Sequence, residues 1–361
     1  MLGIIRFFLA SCVVAFHLTA KISFLGQFAV NFFYVISGFL ITLILNDTYK
    51  LNITKFAVNR FLRLYPTYYL FASLGILIIY FMPNASEFHG SWSKHFNNGD
   101  WLGNLFIFPW AFLSDNAVPN TFGAFTSHYF LHVDASRFRI VTSSWSVAVE
   151  IICYFALWLF VSRNILLTIA SLVMFSAYHL YVFCSFHDST MAYYPFLAAM
   201  LPFSLGSLGF FIFSKLREHE KFISFTEDKK WIIAFFALAA FCLNWAIFIE
   251  AQKGGWHPFF YYTNNLLALI IVIALANTNP KGITGKVTKI LGDLSYPVFL
   301  CQYLGGYFAW IIVGSDKPNR GWDIFFIGYP ISIIMALLCV WLIDDRVKKI
   351  RDKVRPSKRP V

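Results

Sequence analysis

The segment GIIRFFLASCVVAFHLT, which runs from Gly3 to Thr19, is apolar except at a few positions, and two of these are Arg6 and His17. A run of this length and hydropathy predicts a transmembrane helix. Eleven positions at about 100° per residue bring the two side chains back to one face, roughly 16 Å apart along the axis. Ionisable groups inside a span are costly and are commonly functional. The segment therefore predicts a helix with a fixed cation near one membrane surface and an imidazole near the other.

The composition indicates the same class for the whole chain. Of 361 residues, 58% are hydrophobic, 20% are aromatic and 13% are charged. Because the apolar runs lack the alternation typical of strands, we predict an all-α polytopic membrane protein. The apolar windows predict ten spans, at about 3–20, 27–45, 64–82, 146–161, 164–184, 193–213, 231–249, 258–276, 292–313 and 323–343. A shorter stretch, Trp101 to Leu113, is interrupted by Pro109 and predicts a re-entrant or interfacial segment.

The net charge of +11 would suggest a nucleic-acid partner in a soluble protein. Here most of the 29 Lys and Arg residues fall in short loops on one side, if both termini are cytoplasmic. The positive-inside rule explains this distribution, so we predict no nucleic-acid partner. We predict a membrane domain over residues 1–345 with an outward-facing loop at about 83–144. The basic segment 346–361 is expected to be a cytoplasmic tail on the anionic inner leaflet.

The sequence predicts no metal site. The six cysteines lie in apolar runs without metal-ligand spacing and are expected to be free thiols. His128 and His132 are four residues apart in the predicted outer loop, but no third ligand accompanies them.

Two further stretches carry polar groups suited to chemistry. Arg60 and Arg63 precede the third predicted span at a spacing of three residues, so they would share a helical face. Guanidinium groups in such an arrangement match phosphate geometry. Trp145, Ser146 and Glu150 open the fourth predicted span from the outside, and a carboxylate within a span is a functional candidate.

Each of these groups also has a structural interpretation. The arginines could be topology anchors, the histidine a hydrogen-bonded group of the bundle, and the tryptophan an interfacial anchor. Asn31 lies near the outer end of the second predicted span, where an amide could bind substrate, and Ser37-Gly38 would allow close helix packing. From helix geometry we expect Glu150 at a depth similar to that of His17.

Five phrases of the sequence match, in order, the pattern of one family. They are Arg6 and His17, separated by ten residues; the phrase Phe32 to Thr42; Arg60 to Pro66; Trp145 to Glu150; and Leu291 to Pro297. On these residues the chain resembles the acyltransferase family 3 integral membrane proteins, of the polysaccharide O-acetylase type. It departs from the family where Asn31 replaces an aspartate and Gln302 replaces a histidine found in many members. Because neither amide can supply the missing charge, we assign neither an acid/base role.

The resemblance implies transfer of an acyl group, most often acetyl, from cytoplasmic acyl-CoA to a hydroxyl of a cell-surface or secreted polysaccharide or its lipid-linked precursor. It implies acetyl-CoA or another acyl-CoA as co-substrate and no tightly bound cofactor. The expected location is the bacterial cytoplasmic membrane, with the lipid bilayer, the glycan acceptor and polysaccharide-assembly machinery as partners.

The resemblance also implies roles for individual residues. Arg60 and Arg63, with Arg6, would hold the CoA phosphates. His17 would deprotonate the acceptor hydroxyl or carry the acyl group, and Glu150 would orient His17 or bind acceptor hydroxyls. The residues expected to bind the acceptor are Asn31, Trp145 and Ser146. The sequence offers no reliable oxyanion donor.

The alternative is a secondary transporter or an export subunit for an acyl donor or a glycan. Intramembrane ionisable groups also form transport paths. Against this interpretation, the sequence contains no visible inverted repeat, and the candidate groups concentrate in the first four predicted spans.

Overall fold

The computed structural model describes residues 1–92, 99–113, 137–186, 190–251, 258–278, 280–315, 318 and 320–355. Over these residues the chain is helical and has no strand, which confirms the all-α prediction. In chain order the helices are α1 Leu2–Thr19, α2 Leu25–Leu43, α3 Ile53–Phe81, α4 Ala85–Phe88, α5 Asp100–Phe106, α6 Ser144–Leu159, α7 Ile165–Phe186, α8 Phe196–Leu216, α9 Glu220–Asp228, α10 Lys230–Ala251, α11 Pro258–Leu275, α12 Gly282–Val313, α13 Trp322–Cys339 and α14 Asp345–Val354.

Parts of some predicted features lie outside the described residues. They are 93–98 and 114–136 of the outer loop, with His128 and His132 among them, and 356–361 of the tail.

Nine helices of the described part are long and apolar enough to cross a membrane. A helix lies at each of the ten predicted spans, and the remaining one, α6, has 16 residues, fewer than a span normally needs. The prediction of a multi-pass helical membrane protein is therefore confirmed. Helices α3 and α12 have 29 and 32 residues and begin earlier than predicted, because the hydropathy windows detected only their apolar parts.

Helix α6 is short because the chain leading into it already lies inside the protein. All residues from Phe138 to Ser144 are buried. The Ser143 hydroxyl donates to the Phe299 carbonyl at 3.1 Å, and the Ile140 amide donates to the side chain of Asn104 at 3.0 Å. Non-helical backbone within a membrane protein requires such partners because water is scarce there. Helix α6 therefore begins within the bundle and not at its outer surface.

The stretch around α5 does not span the membrane, as predicted. Helix α5 ends at Phe106, and the 3-10 turn Phe108–Ala111 that follows packs against α6. The buried carboxylate of Asp100 accepts hydrogen bonds from Arg137 at 3.4 Å and from the backbone amide of Phe138 at 3.2 Å. These bonds join the stretch to the buried chain that precedes α6.

Helix α1 is packed against α2, α12 and α13. It runs in the same direction as α12, because Gly3 lies against Gly292 at one end and Leu18 against Gly306 at the other. A Cβ atom on Gly3 would lie 2.5 Å from the carbonyl oxygen of Thr288. Small residues allow this approach of two helices. This contact fixes the position of α1 relative to α12 along the helix axis.

The two ends of the described chain lie at the same end of the bundle. Met1 and Arg63 line one cavity, and Arg63 lines another with Arg351 of α14. The positive-inside rule predicts that this end faces the cytoplasm, and we name it the cytoplasmic end on that prediction. The Asn59 amide donates to the Arg351 carbonyl at 3.4 Å, and the Arg351 guanidinium donates to Asn59 at 3.3 Å. The described part of the predicted tail is folded onto α3, a contact that charge alone could not reveal, and its place on the inner leaflet stays a prediction.

Helices α2 and α8 cross at two glycines. A Cβ atom on Gly38 would lie 2.1 Å from the carbonyl oxygen of Phe203, and one on Gly206 would lie 2.1 Å from that of Val35. The packing interpretation of Ser37-Gly38 is therefore correct for Gly38.

We expect Gly38→Ala to lower the thermal stability of the protein in detergent. A backbone carbonyl cannot move aside unless the helices separate, and overpacking of this kind costs about 1–3 kcal/mol. Thermal unfolding followed by tryptophan fluorescence measures the effect. Gly90→Ala is the control, since a Cβ atom there meets nothing within 4 Å. Equal unfolding temperatures for the two variants would contradict the prediction.

Candidate active site

A cavity of about 280 Å³ lies at the end of α1 opposite to the cytoplasmic end, and we call it the outer cavity. His17 lines it from α1, and Trp145 lines it from the start of α6. Its other lining residues are mainly aromatic or hydrogen-bonding and include Gln27, His89, Arg139, Tyr193, Tyr194 and Tyr303.

The imidazole of His17 is held by Gln302. Nδ1 of His17 lies 3.0 Å from Oε1 of Gln302, while the Gln302 amide nitrogen donates to the Phe299 carbonyl at 2.8 Å. The second bond turns the amide oxygen, which can only accept, toward the imidazole. Nδ1 therefore carries the hydrogen, and Nε2 presents a lone pair. Nε2 has no hydrogen-bond partner among the described residues and is not fully buried, so it is accessible from the outer cavity.

Glu150 was predicted either to orient His17 or to bind acceptor hydroxyls, and the residue that forms a hydrogen bond with the His17 imidazole is Gln302. The side chain of Gln302 is fully buried. The sequence provided no reason to assign Gln302 an acid/base role, because an amide carries no charge. Orientation of an imidazole requires only a hydrogen-bond acceptor, which an amide supplies.

A smaller cavity of about 60 Å³ lies deeper along α1, and we call it the inner cavity. Its polar lining residues are Arg6, Tyr34, Ser146, Glu150, Ser295 and Tyr296. Val30 and Phe299 line both this cavity and the outer cavity, so the two adjoin.

Glu150 lies beside Arg6 in the inner cavity and not at the depth of His17. The expected depth was wrong because α6 begins inside the bundle, which moves its residues toward the cytoplasmic end. Oε1 of Glu150 accepts hydrogen bonds from the Ser37 hydroxyl at 2.7 Å and from the Tyr154 hydroxyl. Both bonds go to the same oxygen, and Oε2 makes no hydrogen bond within the described chain.

Two of the residues expected to bind the acceptor lie elsewhere. Ser146 lines the inner cavity, and its hydroxyl donates to the Ser143 carbonyl at 3.1 Å. Asn31 is only 2% exposed, lines neither cavity and interacts with Tyr261. The neighbouring Val30 faces the cavities in its place. Spacing along a helix could not show which of the two adjacent positions points inward.

Trp145 lies where the sequence placed it, in the outer cavity. Its ring centre is 5.5 Å from that of Tyr193 and 4.8 Å from that of Tyr194, both in edge-to-face geometry. The ring of Tyr303 lies 5.1 Å from that of His17. Aromatic rings of this kind offer an apolar face beside groups that form hydrogen bonds.

Four guanidinium groups gather at the cytoplasmic end. Arg6, Arg60 and Arg63 interact electrostatically with one another, and Arg351 interacts with the last two. Within the described part of the chain, none of the four forms an ion pair with a carboxylate. The Nε atoms of Arg60 and Arg351 are buried and lack a hydrogen-bond partner. Two carboxylates interact with the cluster at longer range, Glu150 with Arg6 and Arg60, and Asp344 with Arg63 and Arg351. The four guanidinium groups outnumber these two carboxylates, and a bound anion would offset the remaining positive charge.

The cytoplasmic cavity, of about 300 Å³, opens beside this cluster. Its charged lining residues are Arg6, Arg63, Lys289 and Asp293, together with the amino-terminal residue Met1. Arg6 lines both the cytoplasmic and the inner cavity. Three neighbouring cavities therefore follow α1 from the guanidinium cluster to His17.

Arg60 and Arg63 lie within α3 and share a helical face, as their spacing predicts. Arg60 lines neither the cytoplasmic nor the inner cavity, and its guanidinium carbon lies 5.7 Å from the ring centre of Phe56. Arg351 was not predicted as a site residue, because its segment was interpreted as a tail on the lipid. The sequence of α14, which is rich in charged residues, gave no indication that the side chain of Arg351 faces α3.

His89, which follows α4, also lines the outer cavity, although the sequence suggested no role for it. Its Nδ1 accepts a hydrogen bond from the backbone amide of Ser91 at 3.1 Å. Burial, reinforced by the charge of Arg320, lowers the pKa of His89 to about 3. The ring is therefore neutral at physiological pH.

A multi-pass helical bundle with a cation cluster, a row of neighbouring cavities and an accessible imidazole agrees with the membrane acyltransferase that the sequence phrases predict. Residues 2–345 match the family model described as an acyltransferase domain. Because the match covers nearly the whole chain, the protein belongs to acyltransferase family 3, as its sequence phrases indicated. No curated protein and no solved structure matches the chain.

We expect Gln302→Leu to lower the turnover of acyl transfer by about tenfold, the effect of losing a hydrogen bond of about 1.4 kcal/mol. Without an acceptor at Nδ1 the imidazole can rotate or change tautomer, so Nε2 is less often available. Gln302→Glu keeps an acceptor and serves as the comparison for packing. Steady-state kinetics in detergent measure the effect, and unchanged turnover in the leucine variant would contradict an orienting role.

Proposed function

We propose that this membrane acyltransferase moves an acyl group, specifically acetyl, from cytoplasmic acyl-CoA to a hydroxyl of a glycan or lipid-linked glycan at the outer face of the bacterial cytoplasmic membrane. One observation supports the proposal: three cavities, each sharing part of its lining with the next, lie between a guanidinium cluster and the accessible Nε2 of His17. A donor rich in phosphate and an acceptor rich in hydroxyl groups suit the two ends of this path.

The donor end favours CoA because of its charge. The nucleotide of CoA carries several phosphate oxygens, and guanidinium groups bind such oxygens in bidentate geometry. Arg6, Arg63 and Arg351 would surround the phosphates, with Arg60 adding to the positive potential. Bound phosphate would offset the repulsion among these side chains. Arg351 thus extends the set of residues expected from the sequence.

The inner cavity suits the narrow pantetheine arm of CoA. The arm is uncharged and has two amide N–H groups, which require acceptors when water is excluded. Oε2 of Glu150 makes no hydrogen bond within the described chain and lies in this cavity beside Arg6. We assign Glu150 to binding the arm, while Ser37 and Tyr154 hold its other carboxylate oxygen in place.

The reaction requires one base. Nε2 of His17 accepts the proton of the acceptor hydroxyl, and the oxygen attacks the thioester carbon. The carbonyl electron pair moves to oxygen and returns when the carbon–sulfur bond breaks. The departing CoA thiolate takes the proton from His17, so the products are the acyl ester and CoA thiol. The hydrogen bond from Nδ1 to Gln302 keeps the base in the required tautomer throughout.

The acceptor end favours a sugar. Trp145, Tyr193 and Tyr194 provide aromatic surfaces for the C–H face of a sugar ring, and polar groups nearby can bind its hydroxyls. The cavity lies at the end of the bundle where glycans of the cell surface and their lipid-linked precursors would approach.

We expect His17→Ala to reduce acyl transfer by at least about 10²-fold, the usual contribution of a general base. Labelled acetyl-CoA is supplied to the cytoplasmic side of membrane vesicles, and label is measured in the native glycan. His219→Ala, at an exposed cytoplasmic position, is the control. Wild-type transfer by His17→Ala would overturn the mechanism. Exchange of glycan or acyl donor across the membrane without acylation would overturn the proposed function in favour of transport.

We expect Arg63→Ala and Arg351→Ala to raise KM for acetyl-CoA by about tenfold or more, since each removes a charge-assisted hydrogen bond. S-acetylpantetheine lacks the phosphates, so its KM should not change. Arg355→Ala is the control, because Arg355 lies near Arg351 at the end of α14 and pairs with Asp352 at 3.4 Å. Equal effects of the variants on both donors would contradict a role in phosphate binding.

A further inference from the structure

The tautomer of His89 is fixed by a single contact. The backbone N–H of Ser91 can only donate, and it donates to Nδ1 of His89 at 3.1 Å. In the neutral ring the hydrogen must therefore lie on Nε2. His17 has the opposite arrangement, with the hydrogen on Nδ1 facing Gln302. The outer cavity thus contains one imidazole that accepts at Nε2 and one that donates at Nε2.

The donor of His89 is available to a ligand. His89 lines the outer cavity, and its Nε2 has no hydrogen-bond partner among the described residues and is not fully buried. The ring of Tyr303 lies 4.7 Å from the ring of His89 and 5.1 Å from that of His17. One aromatic side chain therefore contacts both imidazoles, and both imidazoles line the same cavity.

The position of His89 is rigid. Ser91, whose N–H binds Nδ1 of His89, also accepts a hydrogen bond at its backbone carbonyl from the backbone N–H of Arg139 at 3.0 Å. The Trp92 indole donates to the Ile140 carbonyl at 3.0 Å. These bonds attach the turn that carries His89 to the buried chain that leads into α6. A preorganised donor of this kind needs no rearrangement when charge develops next to it.

The contacts of His89 favour its neutral form. Its protonation would place an N–H of the imidazolium against the N–H of Ser91 and would add charge beside Arg320. A neutral ring donates a hydrogen bond without giving up its proton. It is therefore suited to stabilise a negative oxygen but not to act as an acid or a base at physiological pH.

The arginine side chains near this position are engaged with other groups. Arg137 pairs with Asp100 at 3.4 Å. The guanidinium carbon of Arg139 lies 4.8 Å from the ring centre of Trp110, and Arg320 stacks over the ring of Tyr303. Nε2 of His89 is thus a neutral side-chain donor that lines the same cavity as His17 and has its hydrogen position fixed by Ser91.

We propose that His89 is a further catalytic residue, whose Nε2–H donates a hydrogen bond to the acyl oxygen while that oxygen is an alkoxide. This rests on the proposed acyl transfer. When the acceptor oxygen attacks the thioester carbon, the carbonyl electron pair moves to the acyl oxygen. His89 binds that oxygen until the pair returns and the bond to sulfur breaks, while His17 holds the proton in transit. The hydrogen on His89 is shared and never transferred.

Three variants of His89 test the role. His89→Asn places its amide near the former Nδ1, so it keeps the contact with Ser91 but removes the donor at Nε2. His89→Gln restores an N–H near the former Nε2 position. His89→Ala removes both. We expect kcat to fall about 10²–10³-fold in the asparagine and alanine variants, as for loss of an oxyanion donor. We expect the glutamine variant to stay within about tenfold of wild type, with the KM values of both substrates unchanged throughout.

The assay uses the full-length protein in vesicles with labelled acetyl-CoA and the native glycan, and thermal unfolding confirms that each variant is folded. Wild-type kcat in His89→Asn would overturn the inference and leave the proposed function intact. Equal loss of kcat in the glutamine and asparagine variants, or a raised KM for the glycan in place of a lowered kcat, would also overturn it. Absence of transfer by the wild type would overturn the proposed function, and the inference with it.

Discussion

The packing of α1 against α12 is the contact on which both ends of the candidate site depend. At the cytoplasmic end Gly3 meets Gly292, which brings Arg6 to the cavity that Arg63 also lines. At the outer end Gln302 of α12 holds the imidazole of His17. Because Arg6 and His17 belong to one helix, the separation between the cation and the base along the helix axis is fixed. Close packing through small residues makes this arrangement possible inside a membrane.

The unpaired charge at the cytoplasmic end sets a second constraint. Guanidinium groups that form no ion pair among the described residues, and that outnumber the nearby carboxylates of Glu150 and Asp344, destabilise the fold unless an anion offsets them. Arg351 takes part although its segment looks like a tail in the sequence. Its helix is bound to α3 through Asn59, so the charge of the segment is directed toward the site as well as toward lipid. A bound anion would therefore stabilise the fold and position the donor together.

The two histidines of the outer cavity have opposite hydrogen-bonding roles because their neighbouring atoms differ. His17 faces an amide oxygen and has a free lone pair, whereas His89 faces a backbone N–H and has a free hydrogen. Their side chains are identical, and only the neighbouring atoms decide which is acceptor and which is donor. The division resembles that of other active sites, where environment separates the roles of like groups.

The sequence alone determined the membrane class, ten of the helices, the shared face of Arg6 and His17, and the family. These features follow from hydropathy and helical period, which are local properties of the chain. Only the tertiary structure decided that Gln302 orients His17, that Glu150 lies beside Arg6, and that Asn31 faces away from the cavities. Each of these depends on where one helix starts relative to another. Helical period gives a face but neither a depth nor a partner, and both are set by packing between residues distant in the chain.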